Sequence, residues 1–298
     1  MCEELVKDLD FNRDSEYPKL DNWTILIPSK NRLDKEITYN MLAKSGVIDR
    51  IPTYLVVEPQ EYEEALAKGY KCISLDKNDQ GILYARNWIL RYAFENNLEH
   101  LCVIDDDFNT ICMIDDDPNK PGHYKRYYDR CYIEFLLATA EKLDGMATIQ
   151  QISFAHKNYQ RIIQKEPSGI EIYSRFYGLM LYNMKYMPKN FQIRDDGTNE
   201  DLMQMMQLFL EHDVKFYRIT RFAYSTPALG TNSGGMSSKN VANNKYDRYY
   251  ENAKKLYGDL VLPDENSPYK FKMDTVKLTK IMRKRFSKST IDTILEGE

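Results

Sequence analysis

The chain has 298 residues, of which 43% are hydrophobic and 29% charged, and its 41 Lys and Arg against 45 Asp and Glu give a formal net charge of −4. This composition excludes a disordered or fibrous protein, and without a long apolar run we predict no membrane-spanning helix and no membrane partner. A charge so near neutrality argues against coating of nucleic acid by bulk charge, although it leaves room for a local basic patch. The acidic start lacks the order of a secretory signal, so we expect a cytoplasmic protein.

The first third of the chain alternates short apolar runs with helical spacing. Apolar runs typical of buried strands lie at residues 24–28, 53–57, 71–74 and 100–104, and the longest predicted helix covers residues 81–95. Strands that alternate with helices form parallel sheets with both faces covered. We therefore predict an α/β fold with a Rossmann-type sheet flanked by helices.

After about residue 110 the strict alternation ends. The later predicted elements are strands at 110–114, 147–154, 171–183 and 214–219, helices at 132–143 and 199–212, and a loop rich in Gly, Ser and Asn at 229–238. This order is typical of an α+β half laid on the same sheet, which makes the sheet mixed. We predict a main domain at residues 23–262, preceded by an N-terminal extension at 1–22 and followed by a basic segment at 263–298.

Ligands of open α/β sheets bind beyond the carboxyl ends of the strands. Three stretches follow such strand ends and should line one rim: residues 28–32, Asp76 and residues 105–107. The first stretch contains Pro28, Ser29, Lys30 and Arg32. Its two cationic side chains are suited to nucleotide phosphates.

The strongest signal is the run of Asp105, Asp106 and Asp107, which follows a wholly apolar strand. Alternate residues of an extended chain point to one side, so Asp105 and Asp107 can hold a hard divalent cation that also binds a diphosphate. A second acidic run at 115–117 is better explained as solvation of a turn. A phosphatase nucleophile of the haloacid-dehalogenase type is a weak rival, because Asn109 stands where that motif has Thr or Val.

Arg86 and Asn87 lie in the helix that begins near residue 81. Arg86 falls on the apolar stripe of this helix, where an unpaired charge is too costly to keep. Its partner is either a bound diphosphate or sugar hydroxyl, with Asn87 beside it, or a structural carboxylate of Asp76 or Asp105.

A late helix is preceded by Thr198 and Asn199 and opens with Glu200 and Asp201. One interpretation is a capping box, with Thr198 as N-cap and Asp201 at the third helical position. The other makes Glu200 or Asp201 a general base aimed at an acceptor hydroxyl. The two are compatible, because a cap can fix the geometry in which its neighbour reacts.

Aromatic and basic residues are interleaved in two places. Residues 246–257 place tyrosines at helical spacing, which favours a core-facing stripe. The other place, on a predicted loop, contains Tyr124, Lys125, Arg126 and Tyr127. This loop is either plain surface or a contact in which rings stack on a base and cations meet phosphates. Lys284 and Arg285 of the basic C-terminal segment are a second candidate contact for a DNA backbone.

The order of these motifs resembles that of GT-A-fold glycosyltransferases: I-P-S-K-N-R after the first strand, G-I-L-Y-A-R-N opening a helix, V-I-D-D-D at the fourth strand and G-T-N-E-D-L before a late helix. More narrowly, it is similar to the phage and TET-associated glycosyltransferases that sugar-modify hydroxylated bases in DNA. The resemblance spans about residues 22–219. It implies a GT-A-like mixed sheet whose α+β half lies on the acceptor side.

The resemblance implies roles on the donor side. The D-x-D ligands of Mn²⁺ or Mg²⁺ are matched by Asp105 and Asp107. The donor contacts are matched by Asp105, Asp106 and Arg86, and the nucleotide-binding loop is matched by the loop after the first strand. Many such enzymes take a third metal ligand, often His, from near the C-terminus. No His follows His212 here, so the third ligand stays unassigned.

On the acceptor side, Glu200 and Asp201 match the acidic pair that contacts the acceptor or serves as base. Gly234 and Gly235 match the hinge of a lid over the donor diphosphate. The implied reaction moves a sugar from a nucleotide-diphosphate sugar, foremost a UDP-sugar, to a hydroxyl, while the metal stabilises the leaving diphosphate. Inversion and retention both stay open.

The implied acceptor is a hydroxymethylated pyrimidine in phage DNA, reached inside the bacterial host cell if the chain is phage-encoded. Such a base is hidden in a duplex, so the acceptor requires base flipping or open strands. Two alternatives are a GT-A glycosyltransferase with a glycan, protein or small-molecule acceptor, and a noncatalytic DNA-binding module.

Overall fold

The computed structural model describes residues 16–151, 169–172, 178–194, 200–227, 247–265 and 271–286. The strands are β1 (Trp23–Pro28), β2 (Thr53–Val57), β3 (Cys72–Ser74), β4 (His100–Ile104), β5 (Thr110–Asp116), β6 (Tyr124–Tyr127), β7 (Gly145–Gln151), β8 (Ile170–Ile172), β9 (Leu179–Asn183), β10 (Lys215–Ser225), β11 (Val261–Pro263) and β12 (Phe271–Met273). The helices are α1 (Ile37–Lys44), α2 (Val47–Arg50), α3 (Tyr62–Ala67), α4 (Ile82–Glu95), α5 (Ile133–Glu141), α6 (Glu200–His212), α7 (Asp247–Tyr257) and α8 (Thr275–Phe286). Among these helices, none combines the length and apolar character needed to cross a bilayer.

Strands β1 to β10 form a mixed sheet in the order β3-β2-β1-β4-β9-β7-β10-β5-β6, with β8 paired to β10. The first four strands pair in parallel, and β10 lies parallel to β7. β9 is antiparallel to both β4 and β7, and β5 is antiparallel to β10. The predicted α/β fold with a mixed sheet is therefore confirmed.

Alternate residues of the central strands bury their side chains in different cores. Ile25 and Ile27 of β1 pack on one face of the sheet with Leu42 of α1, whereas Leu26 packs on the opposite face with Ile89 of α4. All residues of β1 are buried, because helices cover both faces. This explains why the run is apolar apart from Thr24 and does not alternate with polar residues.

The described part of the basic C-terminal segment packs into the core that contains α4. β11 pairs antiparallel with β12, so the boundary predicted at residue 262 falls inside a pair of strands. Leu278, Met282 and Phe286 of α8 are buried, and the Phe286 ring lies 5.7 Å from the ring of Phe209 on α6. Helix α8 is therefore packed against the main domain through an apolar stripe.

Residues 16–22, the described part of the predicted N-terminal extension, also contact the main domain. Leu20 is buried in the core that contains α1. The Tyr17 ring lies 5.9 Å from the Phe135 ring and 4.4 Å from the guanidinium carbon of Arg50. These contacts attach residues 16–22 to α5 and α2.

Candidate active site

Parallel strands bring polar residues to one edge of the sheet. β1 ends at Pro28, β2 at Val57 and β4 at Ile104, and their parallel register aligns the three carboxyl ends. The structure thus brings together the loop at 29–32 and the acidic turn at 105–107. Pro28, predicted among the donor contacts, is a buried strand residue.

Asp106 points into the protein and pairs with Arg32. The Arg32 guanidinium donates to the Asp106 carboxylate and lies 3.9 Å from Oδ2 of Asp107. Burial raises the pKa of Asp106 to about 6, against the opposing effect of the Arg32 charge. The side chains of Asp106 and Arg32 form a largely buried ion pair that holds the loop after β1 to the end of β4. The donor contacts predicted for these two residues stay predictions.

Asp105 and Asp107 flank this ion pair and are more accessible, with side chains 35% and 31% exposed. Exposure thus alternates along the acidic run, and the metal site predicted at Asp105 and Asp107 stays a prediction. Carboxylate oxygens suit Mg²⁺ and Mn²⁺, so the donor chemistry of this pair fits a hard divalent cation. Among the residues that the structure describes, no group of three or more His, Cys, Asp or Glu is placed to hold a metal. The pair therefore accounts for only part of a coordination shell.

The start of α1 fixes the backbone of the acidic turn. The buried Thr38 hydroxyl donates to the carbonyl oxygen of Asp105 at 2.5 Å and accepts from the N–H of Phe108 at 2.8 Å. The N–H groups of Ile37 and Thr38 donate to the carbonyl oxygen of Asp106 at 3.3 and 3.2 Å. Thr38 was not predicted as a site residue, because nothing in the sequence around a threonine in the first turn of a short helix indicates a contact with residues 105–108.

Ser29 and Glu36 form a second buried pair beside the turn. The Ser29 hydroxyl donates to Glu36, whose side chain is almost fully buried. Burial, together with the charge of Asp106, raises the pKa of Glu36 to about 8. Ser29 was predicted to contact a donor, but its hydroxyl is engaged with Glu36, a residue for which the sequence offered no signal.

Lys30 bridges the ends of β1 and β2. Its Nζ lies 2.7 Å from Oε1 of Glu58 and 2.7 Å from Oδ1 of Asp79. Burial opposes the charge, but the hydrogen bonds to Asp79 and Glu58 prevail and raise the pKa of Lys30. The side chain is 34% exposed, so the ammonium sits at the rim with two acidic partners, and its predicted phosphate contact stays a prediction.

Arg86 is buried on α4 and reaches the acidic turn. Its Nη2 lies 3.3 Å from Oδ1 of Asp105. Of the partners considered from the sequence, the structure shows Asp105, whereas Asp76 pairs with Arg91. Arg86 therefore links α4 to one of the two accessible carboxylates.

Asn87 holds a backbone segment on the other side of α4. Its Nδ2 donates to the carbonyl oxygen of Ile193 at 2.9 Å, and its Oδ1 accepts from the N–H of Ile193 at 2.7 Å. Both ends of the Asn87 amide thus contact the backbone of residue 193, and the donor contact predicted for Asn87 stays a prediction.

Several predicted site residues lie outside the described part. Helix α6 begins at Glu200, but the side chains of Glu200 and Asp201 are not among the described features. Gly234 and Gly235 also lie outside the described residues. The roles of these four residues stay predictions.

The segment predicted as an aromatic and basic loop is a strand. Tyr124–Tyr127 form β6, which pairs antiparallel with β5 at the sheet edge. Tyr127 is buried and donates through its hydroxyl to the carbonyl oxygen of Asp116 at 3.0 Å, so it cannot stack on a base. Lys125 lies 5.5 Å from the Tyr127 ring and is exposed, and Arg126 is half-buried. The loop prediction was wrong, because short strands rich in polar residues lack an apolar signal.

The two predicted DNA contacts on α8 have different surroundings. Arg285 lies 2.6 Å from Oδ1 of Asp213, and its guanidinium carbon lies 5.5 Å from the Phe209 ring. Lys284 shares an exposed face with Lys277 and Lys280, at the spacing of successive helical turns. The basic face of α8 is therefore formed by the three lysines, whereas Arg285 fastens the helix to the main domain.

One solved structure shares this fold, and a second is a weaker match. A mannosyltransferase from Pyrobaculum calidifontis, solved in complex with GDP-Man and Mn²⁺, matches with a TM-score of 0.50 and 11% identity over 90% of this chain and 73% of its own. Glucosyl-3-phosphoglycerate synthase from Mycobacterium tuberculosis, solved with Mn²⁺, UDP-glucose and phosphoglyceric acid, matches with a TM-score of 0.43 and 11% identity over 88% of this chain and 91% of its own. No curated protein sequence matches the chain.

A family match covers most of the chain. The sequence model of the TET-associated glycosyltransferases matches residues 23–235, a span that includes β1 to β10 and α1 to α6. The loop after β1, the acidic turn at 105–107 and the start of α6 all lie within it. The chain therefore belongs to the TET-associated glycosyltransferase family and is a glycosyltransferase with a GT-A fold.

Proposed function

We propose that this glycosyltransferase moves a sugar from a nucleotide-diphosphate sugar, foremost a UDP-sugar, to the hydroxyl of a hydroxymethylated or otherwise hydroxylated pyrimidine in phage DNA. The observation that carries the proposal is the pair of accessible carboxylates, Asp105 and Asp107, on either side of a buried ion pair at the rim of the sheet. The P. calidifontis mannosyltransferase, which shares the fold, was solved with GDP-Man and Mn²⁺. That neighbour supports a nucleotide sugar as donor and a divalent cation as cofactor.

Asp105 and Asp107 would hold Mn²⁺ or Mg²⁺, which supplies positive charge beside the leaving diphosphate. Burial raises the pKa of Asp107, and a cation beside it favours the ionised form that burial disfavours. Arg32 neutralises Asp106, so the acidic turn does not carry three uncompensated charges. The remaining negative charge of the turn is thereby suited to bind one divalent cation.

Lys30 and the loop after β1 would face the nucleotide. An ammonium group has three donors, and Glu58 and Asp79 accept from Lys30. A third donor directed at a phosphate or ribose oxygen would add a charge-assisted hydrogen bond to the donor.

Glu200 and Asp201, at the start of α6, would face the acceptor. In an inverting reaction one of these carboxylates takes the proton of the acceptor hydroxyl, whereas a retaining reaction needs no single base there. Gly234 and Gly235 would supply the hinge of a loop that covers the donor.

DNA would be held by exposed cations away from the reacting atoms. Lys277, Lys280 and Lys284 form one basic face of α8, and phosphate contacts of this kind position DNA without reading its sequence. The target base must leave a duplex to reach the rim, or be presented on a single strand. We place this reaction in the cytoplasm, which is that of the bacterial host if the chain is phage-encoded.

A nucleotide-release assay tests this proposal. The enzyme is given UDP-glucose or GDP-mannose with hydroxymethylcytosine oligonucleotide, with the matching cytosine oligonucleotide, or with no acceptor, each with Mn²⁺ and with EDTA. We expect release that needs both the metal and the base hydroxyl. Equal release from all three acceptor conditions contradicts the DNA acceptor, and full release in EDTA contradicts the metal.

A further inference from the structure

A side-chain amide holds the chain segment that leads towards α6. Residues 191–194 form neither helix nor strand, so their backbone N–H and C=O groups need partners from elsewhere. Asn87 of α4 supplies both partners of Ile193, donating to its carbonyl oxygen at 2.9 Å and accepting from its N–H at 2.7 Å. The amide thus takes the place of a neighbouring strand.

A second amide holds the same segment from the opposite side. Oε1 of Gln207, on α6, accepts from the N–H of Arg194 at 2.9 Å, and its Nε2 donates to the carbonyl oxygen of Gln192 at 3.3 Å. Arg194 adds a two-pronged contact to Glu211, with donor to acceptor distances of 2.8 and 2.5 Å. The segment is therefore fixed between α4 and α6.

These hydrogen bonds are partly shielded from water: Ile193 and Gln207 are buried, whereas Asn87 and Arg194 are half-buried and Gln192 is exposed. Ile193 is 3% exposed, Phe191 is 6% exposed and Gln207 is 3% exposed. A buried backbone group that loses its partner retains the full cost of desolvation, so the segment has a strong preference for this one position.

The residue before Asn87 is Arg86, which lies 3.3 Å from Asp105. One turn of α4 therefore contacts a carboxylate of the proposed metal site through one residue and residue 193 through the next. Six positions after Arg194 the chain begins α6 at Glu200. Helix α4 is a rigid element, so it sets the distance between the acidic turn and residue 193.

We propose that Asn87 is a positioning residue for sugar transfer. With Gln207 it fixes residues 191–194, and thereby sets where the first turn of α6 stands relative to Asp105. The proposal rests on the acceptor-side role of Glu200 and Asp201 under the proposed function. It differs from the donor contact predicted for Asn87 from the sequence, because loss of the amide impairs transfer to the acceptor and leaves donor binding intact.

The test compares Asn87→Leu and Gln207→Met with a matched control, Asn96→Ala. Asn96 is an exposed amide at the end of the same helix, and its Nδ2 donates only locally, to the carbonyl oxygen of Tyr92 at 2.9 Å. The readouts are the Kd of UDP-glucose by calorimetry, the kcat for transfer to a hydroxymethylcytosine oligonucleotide at saturating donor, and hydrogen exchange of the peptide covering residues 191–205.

We expect Asn87→Leu and Gln207→Met each to lower kcat at least tenfold, to change the donor Kd less than twofold and to lose amide protection in this peptide. The combined variant should lose less than the product of the two single effects, because both act on one segment. Gln207→Asn keeps a neutral amide on a side chain one methylene shorter, so it should retain an intermediate rate and also covers the case in which a stronger variant fails to fold. Asn96→Ala should match the wild type.

Two results would overturn the proposal. A tenfold rise in the donor Kd of Asn87→Leu with kcat retained assigns the amide to the donor. Unchanged amide protection in residues 191–205 shows that Asn87 does not hold the segment. If the wild-type enzyme itself transfers no sugar to this DNA, the proposed function fails, whereas the exchange comparison between wild type and Asn87→Leu still decides whether the amide holds the segment.

Discussion

Glu36 makes the stability of this protein depend on pH. Its carboxyl group accepts from Ser29 and is almost fully buried, and Oε2 has no hydrogen-bond partner among the described residues. Burial raises its pKa from 4.5 to about 8. Below pH 4.5 folded and unfolded chains both hold the proton, whereas between 4.5 and about 8 only the folded chain keeps it. Stability contributed by the neutral carboxyl is therefore present at low pH and is lost as the pH rises through 8.

Replacing Glu36 by Gln removes this titration and keeps the volume and an acceptor for Ser29. Each pH unit across the interval from 4.5 to about 8 is worth about 1.36 kcal/mol. The free energy of unfolding of the wild type should therefore fall, relative to Glu36→Gln, by up to ~5 kcal/mol over that interval. Urea denaturation at a series of pH values measures the difference, and Glu63→Gln, at an exposed position on α3, is the control. A difference between wild type and Glu36→Gln that stays constant from pH 5 to 8.5 refutes the reasoning.

Three further predictions follow from the site and its support. Asp107→Asn should abolish metal-dependent turnover while leaving the melting temperature within a few degrees, and full activity in a turnover assay removes Asp107 from the site. Phe209→Ala should lower the free energy of unfolding by about 3–5 kcal/mol, because it opens a cavity between α6 and α8, and a loss below 1 kcal/mol by urea denaturation contradicts that packing. The double variant Lys280→Glu with Lys284→Glu should weaken binding to any DNA and reduce the slope of the logarithm of the binding constant against the logarithm of the salt concentration by about two. The control Lys44→Glu on α1 should leave this slope unchanged. Equal slopes for wild type and double variant in fluorescence titrations exclude α8 as a DNA contact.

Residue pattern was sufficient to predict the parallel half of the sheet. Residues 24–28, 53–57 and 100–104 are apolar apart from the first residue of each run, because helices cover both faces, and such apolar runs predict buried strands. β6 was missed, because Tyr124–Tyr127 form a short edge strand in which Lys125 and Arg126 lie on opposite faces, so the run does not alternate between apolar and polar residues. The packing of α8 was also missed, because its basic residues dominate the composition while Leu278, Met282 and Phe286 form the buried stripe.

The candidate site could be located from the sequence but not assembled from it. The position of residues 105–107 at the end of a strand predicted an acidic rim, and the structure adds the ion pair of Asp106 with Arg32. That pairing, like those of Thr38 with Asp105 and of Asn87 with Ile193, joins residues distant in sequence. Such contacts depend on tertiary packing, which local residue pattern does not encode. Several side chains predicted to meet a ligand therefore also have structural partners in the site.

The central claim is sugar transfer to a hydroxylated base at the Asp105 and Asp107 rim. Mass spectrometry of a hydroxymethylcytosine oligonucleotide after incubation with the enzyme, UDP-glucose and Mn²⁺ tests it most directly. We expect the oligonucleotide to gain the mass of one hexosyl group per hydroxymethylated base. The matched cytosine oligonucleotide should gain no mass, and neither should the hydroxymethylcytosine oligonucleotide incubated with the Asp107→Asn enzyme. An oligonucleotide that stays unmodified with each of the UDP- and GDP-sugars tried would contradict sugar transfer to the base. Modification by the Asp107→Asn enzyme equal to that by the wild type would contradict the role of Asp107.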